Sequence, residues 1–509
     1  MIPNEGTVPP QGWICTTVGK AFELVGGGTP PTEHSEYWKG SIPWITSADI
    51  DERGNITPHE KITEEAIAAS ATNRVPAGSI IVVTRVGLGK VGIAREDLCY
   101  NQDCQALLFN SKLLDPSFVA LQLRQAVSIF KHIGRGTTIS GVTKRQLSNV
   151  EFLLAPTPEQ HRIVAEMEKQ FTRLDSGVVA LIRAQVRLKK HRSSLLKAAC
   201  EGSLVANEAY LARTQARDYE SGEPLLTRIL NERRLKWGRK TEYKEPAALG
   251  RSSVAGLPTG WTLASVEMLS ALVQYGTSAK TGEVGEIPVL RMGNIVDGRL
   301  LCDKLKYLPV SHDEFPELLL SPGDVLFNRT NSAELVGKTA VYHGNPSPCS
   351  FASYLIRIRM AEGYLPDFLA YYLNSVFGRA WIASVVSQQV GQANVNASKL
   401  QALVVPVPPL AEQHRIVAEV ERQLSIIDKL QSSVVTDLNR AECLRRSILK
   451  QAFEGNLVPQ DPNDESAAVL LERIRSSKAV APRRPAPQTS GIGKRKSILP
   501  EATGEICKA

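Results

Sequence analysis

The chain has 509 residues, 43% of them apolar and 22% charged, with a net charge of +8 and a pI near 9.0. That is ordinary for a soluble globular protein and long enough for three or four structural units. No apolar run reaches the roughly 18 residues that span a bilayer, and the opening MIPNEGTVPPQGW lacks the basic region and apolar core of a signal peptide. A cytoplasmic protein with no membrane partner is therefore expected. Eight scattered cysteines (15, 99, 104, 200, 302, 349, 443 and 507) form no CxxC pair and read as buried thiols rather than a disulfide frame or zinc site. The excess of basic residues permits nucleic-acid binding without showing it.

Residues 1–157 read as a first globular unit of mixed strands and helices. It opens with Pro10-Gln11-Gly12-Trp13, and residues 78–85 read as a buried strand after a turn. Asp115-Pro116 starts a helix to about Lys131, and a polar, basic loop follows over 134–141. Residues 158–205 form one long helix, introduced by proline and closed by Gly202. Its seam runs through Val164, Met167, Phe171, Leu174, Val178, Leu181, Gln185, Leu188, Arg192 and Leu195, in alternating steps of three and four. Five heptads of that pattern describe a coiled coil.

A connector over 206–256 holds a short helix and a basic linker. Residues 257–410 then repeat the plan of the first unit more faintly. Leu257-Pro258-Thr259-Gly260-Trp261 answers the opening PQGW, and Pro322–Arg329 answers the strand ending in Arg85. Residues 411–458 form the second long helix, whose seam is Val417, Val420, Leu424, Ile427, Gln431, Val434, Leu438, Ala441, Arg445 and Ile448. Set 253 residues apart without a gap, 158–205 and 411–458 agree at 21 of 48 positions. The remainder, 459–509, gives a short helix around Leu470–Ile474 and a basic tail of disordered composition.

The chain is thus a tandem duplication of α+β class, in which two mixed globules alternate with two long helices. Each helix leaves an apolar stripe that needs a partner, and the other copy is the obvious one. About 44 residues at ~1.5 Å rise make a rod of roughly 65 Å. Antiparallel pairing would give a pseudo-two-fold molecule whose rod sets the spacing between two diverged globules. Arg192 and Arg445 hold equivalent seam positions, where a polar residue can fix register or merely snorkel.

Candidate chemistry is sparse. Gly87-Leu88-Gly89-Lys90-Val91-Gly92 spells GxGxxG after a strand, the pattern of a nucleotide-binding turn, but its counterpart Leu335–Ala340 lacks two of the glycines. Residues 332–339 resemble a phosphate loop whose first glycine is Ser332. His161 and His414, at the same place on the two helices, read as capping and packing residues. Both globules keep strand, arginine, turn and Gly-Lys, with Arg85 and Lys90 in one and Arg329 and Lys338 in the other. Two cations on one loop suit a phosphate backbone or a base edge, and a solvated turn is the alternative. Polar loops add Arg135, Thr137, Thr138, Lys144, Arg145, Arg291, Asn294, Asn331, Asn394, Asn396 and Lys399 as candidate DNA contacts. No catalytic constellation, cofactor site or metal site repeats in both halves.

The repeated EQHRIVAE helices, the PxGW openings and the strand–Arg–GK turns resemble the specificity subunits of type I restriction–modification enzymes over nearly the whole chain to about residue 475. The resemblance implies two target-recognition domains that read the two halves of a split, asymmetric site on double-stranded DNA. It implies a chain without catalysis of its own, whose helices bind two modification subunits carrying S-adenosylmethionine chemistry. Separate restriction subunits, driven by ATP with Mg, would translocate and cut DNA. A coiled-coil scaffold without a DNA role, and a nucleotide-binding enzyme using the Gly87–Gly92 loop, are the other readings.

Overall fold

A computed structural model describes residues 9–133, 141–236, 243–249, 256–332, 334–389 and 392–480, with side chains left out at 127–133, 387–392 and 478–480. The two long helices run over Thr157–Cys200 and Leu410–Phe453, 44 residues each. Every seam position named above, including Gln185, Arg192, Gln431 and Arg445, is buried or half-buried, while most neighbouring positions are exposed. Both helices end where the glycines stand. Gly202 and Gly455 adopt φ of 70° and 71°. The N–H groups of Ser203 and Asn456 then reach back to the carbonyls of Ala198 and Gln451, at 3.0 and 2.8 Å. This is the Schellman closure, which satisfies carbonyls that the helix end would otherwise orphan.

The chain divides into two compact units, Met1–Ser176 with Ala441–Ala509, and Gly177–Arg440. Each gathers one globule, a part of each long helix and short helical structure from beyond a rod. In the first, Ile163, Val164 and Met167 of the first long helix share a core with Ala452 and Phe453 of the second. In the other, Leu195, Leu196 and Ala199 pack with Ile416, Val420, Leu424 and Ile427. The start of one helix meets the end of its partner in both units, so the pairing is antiparallel.

Two ion pairs span it. Arg445 bonds Asp175 in the first unit. In the second, Arg192 lies 3.3 Å from Asp428. Asp175 and Asp428 are repeat equivalents, as are Arg192 and Arg445, so one Asp–Arg spacing is used twice in opposite directions. Arg445 also covers the Phe171 ring at 4.6 Å. Both arginines therefore have partners across the helix pair, as a register role would require.

The globules share one topology despite their divergence. The first has a four-stranded antiparallel sheet in the order Glu23–Gly26, Cys104–Leu108, Ile80–Val83, Val91–Ile93. In the second, the order is Ser270–Tyr275, Leu355–Met360, Asp324–Asn328, Thr339–Val341. A three-stranded mixed sheet accompanies each, centred on Ile42–Ile45 and on Ile287–Leu290. Ile80–Val83 is buried at all four positions, which explains its uninterrupted Ile-Ile-Val-Val run. The helix after Asp115 spans Pro116–Ile133.

The connector forms two helices, Glu208–Thr214 and Gly222–Leu235. Leu225 and Ile229 of the latter sit in the second core, and Leu470, Leu471 and Ile474 of the last helix, Ala467–Val480, sit in the first. Parts of the basic linker, 237–242 and 250–255, and the tail from 481 lie outside the described residues. One expectation needs correction: Cys99, Cys104, Cys200 and Cys349 are buried thiols, but Cys15, Cys302 and Cys443 are exposed. Cys507 lies outside the described residues.

Candidate nucleic-acid interface

The EQHR motif at the head of each long helix is a joint. Gln160 accepts the Asp115 N–H at 2.9 Å and donates to the Ala155 carbonyl at 2.8 Å. Gln413 accepts the Leu365 N–H at 2.8 Å and donates to the Pro408 carbonyl at 2.9 Å. Glu412, fully buried, accepts from Trp261 Nε1 at 3.0 Å and from the Glu208 N–H at 2.9 Å. Burial raises the pKa of its carboxyl, against the pull of those donors. Arg162 and Arg415 pair with Asp464 and Glu208 at 2.7 and 2.6 Å, joining each helix head to the segment beyond the other helix's end. His161 and His414 are exposed. Capping and packing belong to the adjacent Glu and Gln, a correction to the role read for the histidines.

The glycine-rich turn is the tip of a β-hairpin. Gly87 and Gly89 take φ of 81° and 97°, and the chain returns as the strand Val91–Ile93, paired antiparallel with Ile80–Val83. The turn at 334–337 likewise leads into the strand Thr339–Val341. A phosphate loop needs a helix N-terminus to follow, where N–H groups point at the anion. Here the strand that follows uses its N–H groups in the ladder, so the nucleotide-binding reading is withdrawn. Among the described residues, no group of three His, Cys, Asp or Glu could hold a metal ion, and no helix is long and apolar enough to cross a membrane.

In the first unit, Arg85 stands exposed at the top of the hairpin. The Val142 N–H donates to the Thr84 carbonyl at 2.7 Å, bringing the helix Lys144–Ser148 alongside. Lys144 and Arg145 are exposed on that helix. Lys90 instead reaches the Ser47 carbonyl at 3.1 Å and is partly spent on the fold. Close by, burial pushes the Asp49 carboxyl up, but His59 and Thr46 outweigh it and hold it below its ordinary range. Arg135, Thr137 and Thr138 lie outside the described residues.

Several candidates of the second unit converge. Thr330–Asn331 pairs with Gln392–Asn394 in a small three-stranded sheet. Asn331 Nδ2 lies 3.5 Å from Met292 Sδ, which brings in the turn that carries Arg291. Arg329 stacks over the Tyr275 ring, 4.6 Å from its centroid. Other candidates are taken up by the fold. Asn294 is buried, accepting from the Arg291 N–H and donating to the Leu301 carbonyl. Asn396 caps the helix Ala397–Gln401, and Lys399 donates to the Val385 carbonyl at 2.7 Å. Arg291 gives one N–H to the Lys304 carbonyl. Lys338 lines a cleft of about 820 Å³ with Lys189, Arg192 and Asp367. Sequence reasoning missed Tyr275, Met292 and Tyr354, all exposed beside these polar residues. A lone aromatic at a strand end gives no signal of its own.

Residues 10–178 and 275–432 match the type I restriction modification DNA specificity domain, and together they make up more than half of the chain. The chain belongs to that family. It is 23% identical to the type I restriction enzyme StySPI specificity subunit of Salmonella potsdam, over 94% of this chain and 98% of that one. Against the EcoKI specificity subunit of Escherichia coli K12 the identity is also 23%, over 93% and 97%. A solved structure described as bearing on complex assembly and conformational transition of the type I R-M system aligns with TM-score 0.62 and 18% identity, covering 89% of this chain and all of that one. The HsdS subunit of Thermoanaerobacter tengcongensis aligns at 0.50 and 18%. These likenesses extend the fold over 89% of the chain.

Proposed function

We infer that this family member is the DNA-specificity subunit of a type I restriction–modification enzyme, and that each globule reads one half of a two-part DNA sequence. The observation that carries this is the duplication itself: one sheet and one hairpin occur in both units, with different side chains on the hairpin tip. A shared scaffold with divergent tips suits two readers of unlike sequences. The reaction belongs to partners: two modification subunits using S-adenosylmethionine and separate restriction subunits using ATP and Mg. Outward-facing Val179, Ile182 and Val186 on one long helix, with Ile426, Leu430 and Val435 on the other, each 46–49% exposed, offer apolar surface to partner helices. In this reading the helices set the spacer between half-sites. A scaffold without a DNA role accounts for the helices but not for two matched globules.

Exchanging residues 1–157 for the same unit of a relative, with the modification subunits present, tests the reading. Methylated sites mapped by sequencing should change in one half only. A change in both halves, or methylation indifferent to sequence, sinks it.

A further inference from the structure

The second hairpin tip is built around one arginine more firmly than a solvated turn requires. The Arg329 N–H donates to the Tyr354 carbonyl at 3.0 Å, and the Arg329 carbonyl accepts the Val395 N–H at 2.9 Å. Its backbone is therefore held from both sides. The guanidinium lies over the Tyr275 ring, and Tyr275 is itself tethered, its hydroxyl oxygen accepting the Ala397 N–H at 2.9 Å. Stacking on an aromatic face leaves the fork in a fixed plane. Nε of Arg329 is buried without a partner. No ion pair or hydrogen bond occupies the terminal amino groups among the described residues. The side chain is thus oriented, desolvated on one edge, and uncommitted at its tip.

We propose that Arg329, positioned by Tyr275, reads a guanine in the half-site of the second globule, its two terminal amino groups donating to O6 and N7 in the major groove. Two donors in a fixed plane match the two acceptors that guanine alone presents there. A phosphate contact would need charge but neither a fixed plane nor a tethered platform. Tyr275 is a positioning residue, since it touches the arginine and not the base. The inference rests on the DNA-specificity reading above and assigns one base to it.

The test uses the full chain with its modification subunits, S-adenosylmethionine and a duplex library randomised over both half-sites, with methylation read by sequencing and binding measured in parallel. Arg329→Lys keeps the charge and removes the fork. It should relax one guanine position in the second half-site and weaken binding to the native site on the order of ten- to a hundredfold. The first half-site should be read as before, which also reports that the chain is folded. Tyr275→Phe keeps the ring but loses the tether and should relax the guanine only slightly, whereas Tyr275→Leu should relax the same position further, though more mildly than Arg329→Lys does. Arg329→Gln separates base from phosphate: a uniform loss over all sequences, with a salt slope shallower by about one, marks a phosphate contact and overturns the proposal. An unchanged sequence preference for Arg329→Lys also overturns it. If the wild-type complex reads no two-part sequence, the specificity reading itself has failed. If it reads one whose second half holds no guanine sensitive to residue 329, only the present inference has.

Discussion

In the second unit the Arg329 guanidinium lies over the Tyr275 ring, whereas Arg85 stands on the same hairpin of the first unit exposed, with Val86 beside it 63% exposed. Among the described residues no ring covers Arg85. The joints at the helix heads differ far less: the same Gln bridges, the same arginine pairs and the same glycine closures occur in both units. The difference follows from what each side chain holds up. At the joints, buried N–H and C=O groups depend on Glu and Gln, so a change orphans a polar group and costs stability. At the hairpin tip the ladder is complete without any side chain, so the tip is free to diverge. Divergence at the tips is what a two-sequence reader needs.

The joints are alike but not equally deep, and this gives the largest expected effect. The Glu208 side chain is 2% exposed between Arg217 and Arg415, while Asp464 is 11% exposed beside Arg162. Glu208→Gln should cost about 2 kcal/mol at pH 7, because it removes the one buried carboxylate that two partly exposed arginines share. Asp464→Asn should cost about 1 kcal/mol. Thermal unfolding with amide exchange at each joint measures both, and equal costs would show the two joints to be equivalent. Burial pushes the Glu208 carboxyl up, but Arg217 and Arg415 outweigh it and hold it below the ordinary carboxylate range. Its folded pKa is depressed, so the contribution is complete above the ordinary value and is lost as pH falls through the folded one. The gap between wild type and Glu208→Gln should therefore narrow below about pH 4.

A smaller effect sharpens the contrast at the tips. Among the described residues no ring lies under Lys144 or Arg145, and the first unit should use them on phosphates. Replacing both with alanine should weaken binding to all sequences alike and reduce the salt slope by about two, one per contact. A changed sequence preference would give the first unit a base reader on that helix instead. The smallest effect concerns register. Asp428 bonds both Arg192 and Arg299, at 3.3 and 2.8 Å, whereas Asp175 pairs with an Arg445 that is 41% exposed. Asp428→Asn should cost about 1 kcal/mol and Asp175→Asn roughly 0.3 kcal/mol, read as shifts in unfolding midpoint. The reverse order would mean that register is set from the first unit.

What the sequence alone determined was whatever depends on neighbours close along the chain. The two seams, the glycine ends, the buried Ile80–Val83 strand and the duplication are repeats with a period, and period follows from local backbone geometry. That two apolar stripes had to cover each other was legible too, but the antiparallel sense is decided by the cores that join Ile163 to Phe453 and Leu196 to Ile416. Tertiary structure alone decided which polar side chains were left over for a ligand. Asn294 and Asn331 look the same in sequence, yet one is buried on the Leu301 carbonyl and the other lies half-buried beside Met292. Arg329 gains its platform from Tyr275, 54 positions earlier, and Tyr275 gains its tether from a residue 122 positions later. Such partnerships carry no local period, because hydrogen bonding and stacking depend on distance in space and not on distance along the chain.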